Sequence, residues 1–417
     1  MSGSTASCRV ALVSMHTSPA AVPGAGDAGG MNVYLDALAG RLVGEGFAVD
    51  LLTRRTDPQQ PEVEVLTSGA RLVHLDAGPA DEVAKSDLAN HLAEFAAAIA
   101  ELGCYDVVHS HYWLSGIAGL AVARACGAPH VLSLHTVAAM KNATLPAGDD
   151  PEPERRIRWE RELVLQSALT IAATATEAQA IRQFYHADPQ RVAVVTPGVD
   201  RDLFTPGGRP PGWLPEPLRV AAENRGYLLV AARIQPLKGQ DVAISALAAL
   251  DSADRPLLVL AGGTSPGYED FRTELDALVE SNGLNSEVWF LPAQSRPRLA
   301  ELMRGAALLL APSRSETFGL VTLEAAASGV PSVVPAATGL ADAVRGGVSG
   351  VQVAGFEAES WATAIRRLLE NPETLAALQV SARQYSAGFS WDKVARELGN
   401  HYRALAASGQ QDSPCSG

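Results

Sequence analysis

Two basic residues, Arg233 and Lys238, stand five positions apart in the segment Ala232-Arg-Ile-Gln-Pro-Leu-Lys-Gly239. An apolar run precedes this segment, and a helical pattern begins near Asp241. Cations in a loop between a strand and a helix can hold two phosphate groups, and the helix dipole adds to the attraction. The alternative is a pair of solvated surface cations. We favour a diphosphate site.

A glycine-rich segment, Gly24-Ala-Gly-Asp-Ala-Gly-Gly-Met-Asn32, follows the first apolar run and opens a helix. Backbone N–H groups in such a loop can approach an anion closely, and open α/β sheets bind ligands where their strands end. The spacing differs from the dinucleotide fingerprint G-x-G-x-x-G, and no acidic residue about twenty positions on is suited to bind a ribose. The segment predicts a ligand site and disfavours a hydride-transfer enzyme.

Two carboxylates, Glu316 and Glu324, stand eight positions apart across a predicted strand-to-helix turn. This spacing places both near the end of a strand, where a ligand would bind. From the spacing alone, one of them could equally lie on a solvated helix face.

Two series of alternating strands and helices position these residues. Between them, Pro206 to Pro217 holds five prolines and three glycines in twelve residues, the composition of an interdomain linker. Repeated βα units predict parallel sheets covered on both faces, and 417 residues exceed one ordinary core. The strands of the first series are predicted at 8–15, 48–53, 107–110, 131–134, 169–173 and 192–196, and those of the second at 226–232, 257–261, 288–291, 307–311 and 331–335.

The composition limits the classes of partner that the protein is expected to bind. A net charge of -13 argues against nucleic acid or an anionic membrane as the main partner. No apolar run is long enough to span a bilayer. The four cysteines form no CxxC pair and no zinc-like pattern, so we expect neither a disulfide framework nor a structural metal site, and we expect a cytoplasmic protein.

Three motifs resemble the retaining group 1 (family 4) glycosyltransferases, which have the GT-B fold. They are the Arg-x₄-Lys loop, the Glu-x₇-Glu element followed by Ala-Ala-Ala-Ser-Gly-Val-Pro331, and Pro197-Gly-Val-Asp200 with Phe204. The resemblance implies two Rossmann-like, doubly wound domains that face a cleft. Residues 1–208 would bind the acceptor, residues 209–385 would bind the nucleotide sugar, and a helix over 386–410 would pack back on the first domain.

The resemblance implies catalytic roles for four residues. Arg233 and Lys238 would neutralise the departing diphosphate, whose charge grows in the transition state. Glu316 would contact hydroxyls of the donor sugar, and His135 would bind that sugar near its 6-position. Glu324 would bind the ribose of the donor.

Backbone contacts complete the implied donor site. Gly29 and Gly30 would let the main chain approach the diphosphate, and Gln294 would contact uracil through its backbone. The sequence requires no cofactor. It has no DxD-type metal cage, and Mg²⁺ as an accessory ion would bind carbonyl oxygens that leave no side-chain signature.

Four further segments look like the D-inositol-3-phosphate glycosyltransferases of mycothiol biosynthesis. They are 14–19, 26–34, 109–116 and 135–142, with the sequences SMHTSP, GDAGGMNVY, HSHYWLSG and HTVAAMKN. That family transfers N-acetylglucosamine from UDP-GlcNAc to an inositol phosphate. The implied partners are this nucleotide sugar and a small cyclitol. A homodimer is a further alternative that the sequence leaves open.

The same resemblance implies an acceptor site. Lys85, Tyr112, Thr136 and Arg156 match the residues that hold the acceptor phosphate, and we also assign Asn32 to the acceptor. A dianionic phosphate in a cleft needs charge-assisted donors and hydroxyls, because an unmatched buried charge costs several kcal/mol. Two cations and two hydroxyls meet that need.

The chain departs from the family's pattern in two places, Leu132-Ser-Leu-His-Thr136 and Ala173-Thr-Ala-Thr-Glu177. These departures leave a related enzyme open, one with another cyclitol or an aminoglycoside as acceptor or with another nucleotide sugar. An inactive sensor of sugar nucleotides is the alternative that is not an enzyme.

Overall fold

The computed structural model describes residues 7–24, 28–145, 149–253 and 255–411. These residues form two open sheets, each covered by helices on both faces. The doubly wound α/β fold that the sequence predicts is therefore confirmed. Part of the glycine-rich segment, residues 25–27, lies outside the described residues.

The first sheet has the strand order β3-β4-β2-β1-β5-β6-β7-β8. All its neighbouring strands run parallel except β3 and β4, which pair antiparallel. The sequence analysis missed these two strands, and β3 is exposed along its length, so it carries no apolar run. The strands are β1 (Arg9–Val13), β2 (Ala48–Arg54), β3 (Val63–Val65), β4 (Arg71–Leu75), β5 (Val107–His111), β6 (His130–Ser133), β7 (Leu169–Ala172) and β8 (Val192–Val194).

The second sheet has the order β11-β10-β9-β12-β13-β14, and its neighbours all pair in parallel. Its last strand was also missed from the sequence. The strands are β9 (Tyr227–Ala231), β10 (Leu257–Ala261), β11 (Val288–Leu291), β12 (Leu308–Leu310), β13 (Ser332–Pro335) and β14 (Gly350–Val353).

Helices cover both sheets because the central strands are apolar on both faces. β10, with the sequence LLVLA, is buried at every residue. In the first half the helices are α1 (Gly30–Gly44), α2 (Leu92–Glu101), α3 (Trp113–Cys126), α4 (Ala138–Ala143), α5 (Glu154–Gln166) and α6 (Ala175–Tyr185). In the second half they are α7 (Glu216–Arg225), α8 (Gln240–Ala248), α9 (Glu269–Ser281), α10 (Arg296–Gly305), α11 (Leu320–Ala327), α12 (Leu340–Ala343), α13 (Ala358–Leu369) and α14 (Pro372–Ser386).

The last helix, α15 (Trp391–Gln411), returns to the first half of the molecule. Its residues Trp391, Leu398 and Tyr402 are buried in the same core as α1 and β1. The first residue of this helix packs closely against Gly198 of the first half, where a Cβ atom would lie 2.5 Å from the backbone nitrogen of Trp391. The helix starts five residues later than the predicted position 386, because α14 extends to that residue and a short turn follows it.

The structure corrects the expectation that the cysteines do not pair. Cys104 and Cys126 form a disulfide, with Cα atoms 5.4 Å apart. Cys104 precedes β5 and Cys126 ends α3, and a helix that returns over its own strand brings those two positions to the same edge of the sheet. The two cysteines are 22 positions apart in the sequence, so no local motif indicated the pair.

Candidate functional site

A cleft of about 340 Å³ lies between the two sheets, where β1, β5 and β6 of one and β9 and β12 of the other end. Twelve of the thirteen residues that the sequence assigned to a site line it. Arg156 lies behind the lining. The twelve are Gly29, Gly30, Asn32, Lys85, Tyr112, His135, Thr136, Arg233, Lys238, Gln294, Glu316 and Glu324.

The Arg-Lys loop connects β9 to α8, as the sequence predicted. Lys238 Nζ lies 2.6 Å from Glu316 Oε2, so the predicted phosphate ligand and the predicted sugar ligand are an ion pair. Gly239 follows with a φ of 70°, and a Cβ atom there would lie 2.2 Å from the carbonyl oxygen of Pro312. Glycine is therefore required at this position, and it sets the lysine at the start of α8.

Glu324 lies on α11 and is paired with Arg296, the first residue of α10. Arg296 also stacks over the ring of Phe204, 4.8 Å from its centroid. The sequence analysis missed this arginine. Its position at the end of the loop that follows β11, at the start of a helix, is the signal that could have revealed it.

Gln294 is buried beside this pair. Its Nε2 donates to the carbonyl oxygen of Pro292 at 2.7 Å, while its Oε1 has no hydrogen-bond partner among the described residues. The side chain is therefore held by its own loop, and Gln294 lines the cleft.

Asn32 fixes the conformation of the glycine-rich segment. Its Oδ1 accepts from the backbone N–H of Gly29 at 2.8 Å, and its Nδ2 donates to Thr17 Oγ1 and to the carbonyl oxygen of Ser18. The side chain is 1% exposed. Its amide therefore shapes the loop. A Cβ atom at Gly29 would meet no atom of the described residues within 4 Å, so these residues leave space beside that backbone.

The predicted acceptor residues gather around the ring of Tyr112, at the start of α3. Lys85 Nζ lies 4.7 Å and the Arg156 guanidinium carbon 4.8 Å from the ring centroid. Arg156 Nη2 donates to Thr136 Oγ1 at 2.7 Å. Tyr112 has a φ of 77°, an uncommon value for a residue other than glycine, which indicates that the surrounding packing holds it in place.

Arg156 is also bound by two carboxylates. Its Nε lies 2.6 Å from Glu160 Oε1 and its Nη1 lies 2.8 Å from Glu152 Oε2. Burial opposes the guanidinium charge, but the attraction of Glu160 raises the pKa of Arg156 above its ordinary value. The arginine is permanently charged, and its three guanidinium nitrogens are bound by Glu160, Glu152 and Thr136.

His135 follows β6 at a φ of 60°. Its carbonyl oxygen accepts from Thr317 Oγ1, in the second half of the molecule, at 2.7 Å. Burial lowers the pKa of the imidazole from 6.5 to about 4, so the ring is neutral at pH 7. A neutral imidazole can donate to or accept from a hydroxyl group.

The titratable residues His16 and Glu177 also line the cleft, and neither was given a role from the sequence. His16 follows β1 and stacks on Tyr112 at a centroid distance of 4.3 Å. Glu177, near the start of α6, accepts from the backbone N–H of Ala173 at 2.7 Å, and burial raises its pKa to about 7. Both follow the carboxyl end of a strand, which is the signal that could have identified them.

Two observations bear on metals and membranes. In the ranges that the structure describes, no three His, Cys, Asp or Glu side chains are grouped so that they could hold a metal ion. Among the helices of those same ranges, none is both long and apolar enough to cross a bilayer.

Comparisons with known proteins match both halves of the chain. Residues 219–385 match the family Glycosyl transferases group 1, and residues 29–198 match the Glycosyl transferase 4-like domain. A protein of Nocardiopsis dassonvillei named D-inositol 3-phosphate glycosyltransferase is 42% identical over 96% of this chain and 95% of its own length. The protein of that name in Jonesia denitrificans is 41% identical over 94% of both chains.

Solved structures share the fold. Sucrose-phosphate synthase from Thermosynechococcus elongatus superimposes with a TM-score of 0.86 and 27% identity, covering 96% of this chain and all of its own. Anabaena HepE in complex with UDP and glucose superimposes with a TM-score of 0.75 at 19% identity, covering 95% of this chain and all of its own.

Proposed function

This chain belongs to the group 1 glycosyltransferases, and we propose that it transfers N-acetylglucosamine from UDP-GlcNAc to 1D-myo-inositol 3-phosphate with retention at the anomeric carbon. One observation carries the proposal. The cleft has cations on both walls, Arg233 and Lys238 on one and Lys85 with Arg156 behind it on the other. A diphosphate donor and a phosphorylated acceptor together require two such groups.

The donor occupies the wall formed by the second half of the molecule. Arg233 and Lys238 bind the diphosphate, and Lys238 shares its charge between the phosphate and Glu316. Glu316 binds hydroxyls of the sugar, and Glu324, oriented by Arg296, binds the ribose. The backbone at Gly29 and Gly30 closes over the diphosphate, and the backbone at Gln294 meets the uracil.

The acceptor phosphate lies against the Lys85, Tyr112 and Thr136 side of the cleft. The acceptor hydroxyl attacks the anomeric carbon from the face that UDP leaves. A phosphate oxygen of the departing UDP takes the proton of that hydroxyl, so the products are the glycoside and UDP. Arg233 and Lys238 accelerate this step because the charge they face grows as the bond breaks.

The names of the curated relatives support the acceptor, since they denote enzymes of inositol 3-phosphate. The donor sugar follows from the sequence resemblance. The cytoplasmic location, the domain boundary after residue 208 and an accessory Mg²⁺ remain predictions.

A panel of nucleotide sugars tests the proposal. UDP-GlcNAc, UDP-glucose and GDP-mannose are each incubated with inositol 3-phosphate, and the product mass identifies the transferred sugar. We expect product with UDP-GlcNAc and an anomeric coupling in its NMR spectrum that matches the donor. Transfer only from another nucleotide sugar would reject the donor, and an inverted product would reject retention.

A further inference from the structure

Three histidines, two buried and one partly buried, extend from the C-terminal helix to the cleft. We call His109, His111 and His135 the histidine column. His109 and His111 lie on β5, and His135 follows the neighbouring strand β6. The ring centroids of His109 and His111 are 4.2 Å apart, and those of His111 and His135 are 5.1 Å apart with nearly parallel planes. Only the last of the three lines the cleft.

Each ring is held by specific hydrogen bonds. His109 Nδ1 lies 2.6 Å from the hydroxyl of Tyr402 on α15, and its Nε2 lies 2.9 Å from Ser133 Oγ. His111 Nδ1 lies 2.8 Å from His135 Nε2. Within the described residues, His111 Nε2 is buried and has no partner.

These contacts determine where the protons lie. Burial lowers the pKa of all three imidazoles, so each carries one N–H at pH 7. If His135 Nε2 donated to His111, the proton of His111 would lie on Nε2, a buried N–H without an acceptor. Orphaned buried N–H groups are rare and costly. The favoured arrangement has His111 Nδ1–H donating to His135 Nε2.

We propose that His111 is a positioning residue for sugar transfer: it fixes His135 in the tautomer whose Nδ1–H is offered to the cleft, as a donor to a hydroxyl of the nucleotide sugar. The proposal rests on the assigned contact between His135 and the donor sugar. His111 itself does not line the cleft. It acts by excluding the other tautomer, in which His135 would present a bare nitrogen.

The backbone of His135 is fixed, but this alone does not fix its ring, so the hydrogen bond from His111 is needed. His135 stands at a positive φ, and its carbonyl oxygen is bound from the other half of the molecule by Thr317. The backbone is thereby fixed, but the ring can still rotate about its side-chain bonds and can carry its proton on either nitrogen. The hydrogen bond from His111 removes both freedoms.

A double-mutant cycle tests the proposal. The variants are His111→Phe, His135→Ala and the double variant, with His401→Phe on α15 as a matched control. Removing the buried donor should lower kcat/KM for the nucleotide sugar on the order of tenfold. The affinity for UDP, which lacks the transferred sugar, should change little. In the His135→Ala background the same substitution should have no further effect.

Rescue by a smaller donor separates positioning from packing. The amide nitrogen of Asn reaches the place of Nδ1, so His111→Asn should restore kcat/KM to within about threefold of the wild type. Equal losses in His111→Asn and His111→Phe would overturn the proposal. So would an equal loss from His111→Phe with and without His135. If His135→Ala alone were fully active, the sugar contact of His135 would be the assumption that fails.

The wild-type enzyme provides a test that needs no variant of His111. In protein labelled with ¹⁵N-histidine, the ring nitrogen shifts of His135, assigned by their loss in His135→Ala, report which nitrogen carries the proton. We expect the proton on Nδ1. A proton on Nε2 would overturn the proposal.

Discussion

The two walls of the cleft hold their charges differently. On the donor wall, Lys238 pairs with Glu316 and Arg296 pairs with Glu324, and three of these four side chains are about one-fifth exposed. On the acceptor wall, Arg156 is bound by two carboxylates, of which Glu160 is fully buried. The donor wall can therefore exchange its ion pairs for a ligand, whereas part of the acceptor wall is built into the core.

This difference determines how a loss of activity after a substitution is interpreted. Removing Lys238 from the donor wall leaves Glu316, a carboxylate that is about one-fifth exposed and that water can solvate. Removing Arg156 leaves a buried carboxylate without its partner, which destabilises a fold by several kcal/mol. Loss of activity at Arg156 therefore needs a measurement of stability beside it.

The largest effect is expected at Lys238. Lys238→Ala should reduce kcat by on the order of 100-fold or more, because the ammonium group stabilises charge that appears in the transition state. Thermal denaturation should remain near that of the wild type. The matched control is Lys393→Ala, an exposed lysine on α15. Activity close to wild type in Lys238→Ala would remove the lysine from the donor site.

A smaller effect is expected on the acceptor wall. Arg156→Ala should lower kcat/KM for inositol 3-phosphate by roughly 30-fold, because it removes the positive charge behind the site and the hydrogen bond that holds Thr136. Lys85→Ala should lower it by roughly tenfold, because it removes a charge-assisted contact. Free inositol should be used about as well as by the wild type. The neighbouring Arg155→Ala serves as the control.

The exposed Lys85 resolves the ambiguity of Arg156. Lys85→Ala removes a charge at the surface of the protein, so its stability should be unchanged. A loss of melting temperature in Arg156→Ala together with equal losses for both acceptors would assign that arginine to the fold. Unchanged discrimination in Lys85→Ala would argue against a phosphate site on this wall.

The smallest expected effect is a dependence of stability on pH that arises from a buried histidine in the first half of the molecule. All nine histidines lie outside residues 209–385. Burial between Ser110 and Ser167 lowers the pKa of His130 from 6.5 to about 3. The unfolded chain binds this proton below pH 6.5 and the folded protein does not, so stability falls as the pH falls from 7 to 5, by about 2 kcal/mol for this group. Glu177 acts in the opposite sense, because its raised pKa favours the folded state as the pH falls below 7.

Urea denaturation at the two pH values measures this contribution. His130→Gln should lose about 2 kcal/mol less unfolding free energy than the wild type between pH 7 and pH 5. Identical pH dependence in the two proteins would show that His130 is protonated in the folded state.

The same contrast separates what the sequence could predict from what it could not. The donor wall comes from strand–loop–helix segments whose residues are close in the chain, so local motifs indicated Arg233, Lys238, Glu316 and Glu324 as candidates. The family resemblance implied their roles, and all four line the cleft. Arg296 was missed, because its approach to Glu324 depends on how two helices pack.

The acceptor wall depends on distant segments. Its four residues were taken from a family resemblance, and nothing in their spacing revealed that Glu152 and Glu160 would bind Arg156. The histidine column and the disulfide have the same origin, since parallel strands and returning helices bring together residues far apart in the chain. Local patterns predicted most strands of the two sheets, and the cleft was expected from the family resemblance. Tertiary packing determined the partners within it.

The most direct test of the account is the preference of the wild-type enzyme between two acceptors. The ratio of kcat/KM for inositol 3-phosphate to that for free inositol is measured with UDP-GlcNAc at one ionic strength. A cleft with cations on both walls predicts a ratio of roughly 30 or more, because the donor diphosphate binds the cations of one wall and only the phosphorylated acceptor binds those of the other. A ratio near one, or a preference for the uncharged acceptor, would contradict it.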